Sequence, residues 1–336
     1  MEEEDITVGL KVVTFGGGNG HKQNLLALKM MKMVEEITAG CPGTDNGKST
    51  GELCDFYGLH TSLGDTNRCY AALTPYPYVA QGLLNRPATG PFKGHPGGNA
   101  LLTYLLTAGG TLEQSLEAMR QMCGLGKHRV FPVTGERTTL VATLPNGKKI
   151  KGESAIDKLA DNELWDASLH GIVNIELEPE VPALPAFIRA IEEADWIIIC
   201  PGDFYTSIIS TLLPLGIREA LARARARIIY IMPLMTKRGE TDGYTFETFR
   251  DKIQPYLGDR AADFIIVNSA PISKKALKAY ENEHKRPPVL VTTDQDFTIQ
   301  SRVMMETPEG HLCHDPDLLA SELEMIFKKN SPVLVS

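Results

Sequence analysis

Four stretches carry residue types that bind or move phosphate-linked groups. Gly16-Gly17-Gly18-Asn19-Gly20 is a glycine-rich turn ahead of a helical segment. Its amides either cradle a phosphate or ribose hydroxyl or simply make a tight strand-to-helix connection. Asp45-Asn46 and Gly64-Asp65-Thr66-Asn67-Arg68 set two carboxylates and a guanidinium in polar surroundings. Asp45 and Asp65 together suit Mg²⁺ or a substrate hydroxyl, and the planar fork of Arg68 suits a phosphate. The plain alternative makes Asp65 the N-cap of an apolar helix beginning near Cys69. Pro201-Gly202-Asp203-Phe204-Tyr205-Thr206-Ser207 again joins a glycine to hydroxyls at a helix head, either a phosphate seat or a cap.

Several familiar motifs fail on a residue. The dinucleotide fingerprint laid on Gly16 and Gly18 needs glycine where His21 stands. A P-loop ending at Lys48-Ser49 needs glycine at Pro42, and Glu35 to Gly40 reads as too short and polar for the buried strand that feeds such a loop. Gly47-Lys48-Ser49-Thr50-Gly51 spells a nucleophile elbow, yet the preceding Cys41 to Asn46 reads as a polar loop. His311, Cys313 and His314 fall short of a zinc set, so no resident metal is expected. Six cysteines without a Cys-x-x-Cys read as reduced thiols, several of them in the core.

The positioning elements follow from apolar runs. Lys11 to Phe15, Asp195 to Cys200, Arg227 to Met232 and Asp263 to Asn268 are near-continuous apolar strands separated by helical segments such as 213–226. That grammar predicts an α/β, doubly wound, mostly parallel Rossmann-like sheet with helices on both faces. Ligands of such sheets sit at the carboxyl ends of the strands, where the glycine loops, Met235 to Thr245 and Asn268 fall. Val141 to Gly152, with an Asn146-Gly147 turn, predicts a β-hairpin, and 130–180 reads as a β-rich insertion within a single domain over 8–328. Apolar residues at 318, 319, 323, 326 and 327 predict a closing helix over 316–328.

The 336 residues carry 34 Lys plus Arg against 42 Asp plus Glu, a net charge of −8. That balance argues against nucleic-acid binding by phosphate neutralisation. Apolar runs are far shorter than a membrane span requires, and the acidic Met1 to Asp5 lacks the features of a signal peptide. A cytoplasmic protein is expected, with a homodimer the base-rate oligomer.

Taken together, eight ordered stretches resemble one family over residues 11–325. They are the four above, extended from Asp45 to Leu53, with Gly94-His95-Pro96-Gly97-Gly98-Asn99, Gly152-Glu153-Ser154, Leu234-Met235-Thr236 with Gly239-Glu240-Thr241, and Val267-Asn268. This pattern is similar to the gluconeogenesis factors, which share a CofD-like superfamily with the 2-phospho-L-lactate transferases. The resemblance implies a nucleotide cleft lined by Gly17, Gly18, Asn19, Gly20, Asp45, Asn46, Asn99, Tyr205, Thr206, Ser207, Met235 and Asn268, with Arg68 and Gly202 added from the residue readings. The first branch implies a UDP-sugar-binding regulatory protein linked to carbon metabolism or cell-envelope control. The second implies Mg²⁺-dependent transfer of a phosphate-linked group from a nucleotide carrier, Asp45 and Asp65 then being the catalytic candidates. Asn19, Asn46 and the order Asn67-Arg68 depart from the usual gluconeogenesis factor residues.

Overall fold

A computed structural model describes residues 9–161, 171–281, 298–308 and 310–330. Its chain order begins β1 (Leu10–Phe15), α1 (Gly18–Met30), β2 (Val34–Cys41), α2 (Lys48–Tyr57), α3 (Leu63–Leu73), α4 (Pro77–Leu84), α5 (Gly97–Thr107) and α6 (Leu112–Met122). It continues with β3 (Arg129–Pro132), β4 (Thr139–Thr143), β5 (Lys149–Lys151), α7 (Glu153–Asp157), β6 (Asn174–Glu178) and β7 (Trp196–Ile199). Strands β8 (Arg227–Ile231), β9 (Phe264–Asn268) and β10 (Thr298–Ser301) complete the main sheet.

That sheet has seven strands in the order β3-β2-β1-β7-β8-β9-β10, every pairing parallel. The chain winds outward from β1 in one direction and from β7 in the other, which is the doubly wound α/β topology. Adjacent residues of β1 show both faces covered. Thr14 Oγ1 lies 2.8 Å from His21 Nε2 of α1, while the Phe15 ring meets Phe187 of the helix Pro185–Glu193 edge-on at 5.2 Å. Isoleucines 197–199, 228, 229 and 231 are buried, as a strand covered on two sides requires.

One expectation is corrected. Glu35 to Gly40, read as too short and polar for a buried strand, lie within β2, between β1 and β3. Its last part is small because it must be: a Cβ on Gly40 would lie 2.2 Å from the Phe187 ring. Its charged part sits at the other end, with Glu35 paired to Lys127 and Glu36 to Arg129. The loop that follows still lacks P-loop spacing.

The hairpin forms with Val141 opposite Lys151 and Thr143 opposite Lys149, and Gly147 takes the left-handed φ of +80° that its turn demands. β6 adds a third antiparallel strand. Arg129–Pro132 is the edge strand of the large sheet, so the antiparallel unit occupies 139–178; residues 162–170 lie outside the described residues. The closing helix spans Pro316–Asn330 and buries Leu319, Leu323, Ile326 and Phe327. Phe327 stacks on Trp196 at 4.5 Å.

Candidate functional site

The topology reverses between β1 and β7, and the loops after these two strands close on each other. A Cβ on Gly20 would lie 2.1 Å from the Pro201 carbonyl oxygen, one on Gly16 2.9 Å from Cys200 Cβ, and one on Gly202 3.4 Å from the Gly17 carbonyl oxygen. Glycine is needed here for close backbone approach. Gly18, with φ +65° and open space around it, is instead there for its conformation. Helix α1 starts behind Gly17 with no acid in its own first turn, so the charge that meets its end of the helix dipole comes from elsewhere in the chain.

Asp65 is not an N-cap. Helix α3 begins at Leu63 behind Ser62, and Asp65 lies inside its first turn, accepting the Gly18 amide at 3.0 Å and Arg68 Nη1 at 2.8 Å. The carboxylate thus occupies one donor of the glycine loop and restrains the guanidinium beside it. Asp45 lies alongside: a Cβ on Gly64 would be 3.0 Å from Asp45 Oδ2. Burial, and then the Asp65 charge, push the Asp45 carboxyl above its ordinary value. The Gly47 amide and Thr50 hydroxyl act the other way by bonding its two oxygens at 2.9 and 2.8 Å.

The second loop is also internally saturated with charge. Residues Phe204–Ile209 form a π-helical turn, and the buried Glu240 accepts the Tyr205 amide at 3.0 Å and the Thr206 hydroxyl at 3.1 Å. Tyr205 places its hydroxyl 2.7 Å from that of Tyr244. Lys237 Nζ sits among carboxylates, 2.7 Å from Asp203, 2.9 Å from Glu240 and in contact with Asp157. Burial opposes its charge, but Glu240 and Asp203 outweigh it and raise the lysine above its ordinary value. Asp157, Asp203 and Glu240 bring their oxygens close enough to hold a metal ion; the ammonium supplies that cation.

Helix α7 bridges the two halves. Its Ser154 amide bonds Asn46 Oδ1 at 3.0 Å, after β2, and its Asp157 pairs with Lys237, after β8. Between these anchors, burial and then Asp45, Asp157 and Asp65 push the Glu153 carboxyl up to about 8. Beside Asp45 and Asn46 opens a polar cavity of about 200 Å³, also lined by Thr44, Thr61 and Arg137. The buried hydroxyls of Thr44 and Thr61 have no hydrogen-bond partner among the described residues.

The remaining candidates are placed differently. Asn19 is exposed and Ser207 and Met235 are half-buried on their loops. Asn99 is buried and donates to Ser49 Oγ at 3.2 Å. Asn268 ends β9 with its side chain turned onto the Ala270 amide and carbonyl. Sequence reasoning quoted Glu153 and Glu240 within motifs but gave them no role, and it passed over Lys237 and Asp157. A charged residue flanked by glycine or small polar residues at a strand end was the signal available.

Known proteins share this sequence pattern and fold. Residues 12–307 match the family described as 2-phospho-L-lactate transferase CofD. A Deinococcus radiodurans protein provisionally named a gluconeogenesis factor is 32% identical over 97% of this chain and 68% of its own length. The chain belongs to the gluconeogenesis factor family within the CofD-like superfamily. The gluconeogenesis factor of Halalkalibacterium halodurans is 32% identical over 83% of this chain and 84% of its own. A crystal structure of a UPF0052 family member from Bacillus halodurans superposes with a TM-score of 0.84 at 30% identity, covering 93% of this chain and 98% of that one. The gluconeogenesis factor fold is therefore the doubly wound sheet described above.

Proposed function

We propose that this member of the gluconeogenesis factor family is a regulatory protein that binds a nucleotide sugar, of the UDP-sugar class, in a cleft running from the β1/β7 switch point to the polar cavity beside Asp45. The observation that carries the reading is the polar cavity beside Asp45. It adjoins Asp45, and in its wall lie the buried, unpartnered hydroxyls of Thr44 and Thr61. Buried polar groups without partners are costly, and a sugar ring supplies the hydrogen bonds that Thr44 and Thr61 lack. The amides of the first glycine loop and Arg68 hold the diphosphate, while Asn99, Tyr205, Thr206, Ser207, Met235 and Asn268 are assigned to the surrounding cleft. The reading places the protein in the cytoplasm, linked to carbon metabolism or envelope control, and as a homodimer.

Calorimetric titration tests it. UDP-glucose should bind about tenfold more tightly than UDP, since matched polar groups in an enclosed site discriminate strongly. Thr61→Val should narrow that gap, and Arg68→Ala should weaken both ligands. Absence of binding by either ligand to the wild-type chain would overturn the reading.

A second reading is favoured by one observation: the Asp65 charge raises the Asp45 carboxyl, and both raise that of Glu153, so three acidic groups feel one another beside the glycine loop. Such hard oxygen donors suit Mg²⁺, which would neutralise a diphosphate that those carboxylates otherwise repel. Asp45 and Asp65 would hold the ion, in a transferase of phosphate-linked groups. Binding of GDP only with Mg²⁺, lost in Asp45→Asn and Asp65→Asn, would select it.

A further inference from the structure

On the outer side of α2, away from the polar cavity, lies a larger concavity of about 470 Å³. Its walls are the rings of Phe56 and Tyr57 from α2, Phe92 from the loop before α5, and Tyr104 from α5. These rings are exposed, Phe56 by 80%, Tyr104 by 54% and Phe92 by 46%. Exposed large apolar groups gathered in one concavity mark a binding surface more often than a folding requirement.

One edge of the concavity is polar and ordered. Asn99 Nδ2 donates to Ser49 Oγ at 3.2 Å, and the same oxygen lies 2.9 Å from His95 Nδ1. With Asn99 filling one lone pair of Ser49, the arrangement that leaves no proton stranded has the serine hydroxyl donating to Nδ1. The imidazole hydrogen then sits on Nε2. That atom is 3.6 Å from Glu52 Oε2, too long for a good hydrogen bond. A donor and an acceptor therefore stand side by side without a good hydrogen bond between them, and Ser49 and Asn99 hold the ring that carries the donor. A hydroxyl group, which accepts once and donates once, satisfies both.

We propose that this concavity is a second ligand site, backed by the wall of Ser49 and Asn99 that it shares with the proposed nucleotide cleft, that takes an uncharged aromatic alcohol, its ring among Phe56, Phe92 and Tyr104 and its hydroxyl between His95 Nε2 and Glu52. Aromatic walls hold a planar ring by offset or edge-on contact, and Phe92 and Tyr104 already meet edge-on with centroids 6.5 Å apart. An anion is disfavoured, because the carboxylate of Glu52 lines the concavity. A second copy of the chain is the competing occupant, and the test separates the two.

The test measures binding of 2-naphthol, naphthalene and 2-naphthoate to the full chain by fluorescence titration, with UDP-glucose binding followed in parallel. 2-Naphthol is expected to bind saturably, about tenfold more tightly than naphthalene and more tightly still than 2-naphthoate, in line with one hydrogen-bonded hydroxyl. His95→Phe should erase the preference for 2-naphthol while leaving naphthalene bound. Phe56→Ala with Tyr104→Ala should weaken both by tenfold or more and leave UDP-glucose binding unchanged. Thermal unfolding of each variant confirms that it is folded. No saturable 2-naphthol binding overturns the proposal, as does a preference that survives His95→Phe. A dimer in light scattering that Phe56→Arg converts to monomer, with no 2-naphthol binding by wild type, overturns it in favour of the self-interface.

Discussion

The α-carbon of Gly20 faces the carbonyl of Pro201 so closely that a methyl group there would lie 2.1 Å from the oxygen. The obstacle is backbone, not a flexible side-chain end, so the loops after β1 and β7 must part to admit it. Gly20→Ala is expected to cost about 1 to 3 kcal/mol, the range of overpacking in a well-filled site. It should also weaken UDP-glucose binding. Denaturant unfolding and calorimetry on the same variant check both.

Lys237 has only 15% of its side chain exposed, and Glu240 none. Removing the ammonium strands a buried carboxylate, a change that typically destabilises by about 3 to 5 kcal/mol. Lys237→Met should therefore unfold at markedly lower denaturant. Adding Glu240→Gln should recover most of the loss, because the amide still bonds Tyr205 and Thr206 without a charge. If the double variant is no more stable than Lys237→Met, the stranded charge is not the cause.

The pH dependence of stability follows from three groups with opposed signs. Burial pushes His21 and His314 down to about 4, so the unfolded chain binds protons that the folded one refuses between about 4 and 6.5. Stability should rise with pH across that window. Glu153, held up to about 8, keeps its proton when folded and releases it when unfolded, so its contribution falls from about pH 4.5 to 8. Two histidines outweigh the Glu153 carboxyl below 6.5, and above it the falling contribution of that carboxyl remains. Melting temperature should peak between about pH 6 and 7, and Glu153→Gln should flatten the alkaline side.

Asp65 occupies the Gly18 amide and Arg68 at once. Asp65→Asn leaves a neutral side chain there and releases the guanidinium to a ligand. On the nucleotide-sugar reading, UDP-glucose should bind several-fold more tightly and with less benefit from Mg²⁺. On the transferase reading, the same change should abolish metal-dependent GDP binding. Titrations with and without 5 mM Mg²⁺, roughly an excess over ordinary site affinities, distinguish them.

The central strands were legible because they are buried on both faces and so are written in isoleucine and valine. β2 was not, since its buried end is Thr38-Ala39-Gly40, shaped by a ring that arrives from residue 187. The glycine loops were legible as loops, for glycine at a strand end has few other uses. Their partners were hidden. Glu240 meets Thr206 across 34 positions and Asp65 meets Gly18 across 47, and nothing local in either carboxylate announces that its oxygens are spent on amides. The Ser49-His95-Asn99 arrangement was likewise invisible, being assembled from a helix start and a loop some 46 residues apart.

Helix α7 is fastened at one end to the loop after β2 and at the other to the loop after β8, strands that stand on either side of β1 and β7. A molecule seated over the two central strands thus lies beneath a strap with two buckles. Its residence time is governed by how often one buckle opens as well as by the strength of its own contacts. On the nucleotide-sugar reading, slow exchange with modest affinity is the kinetic signature of such a seat.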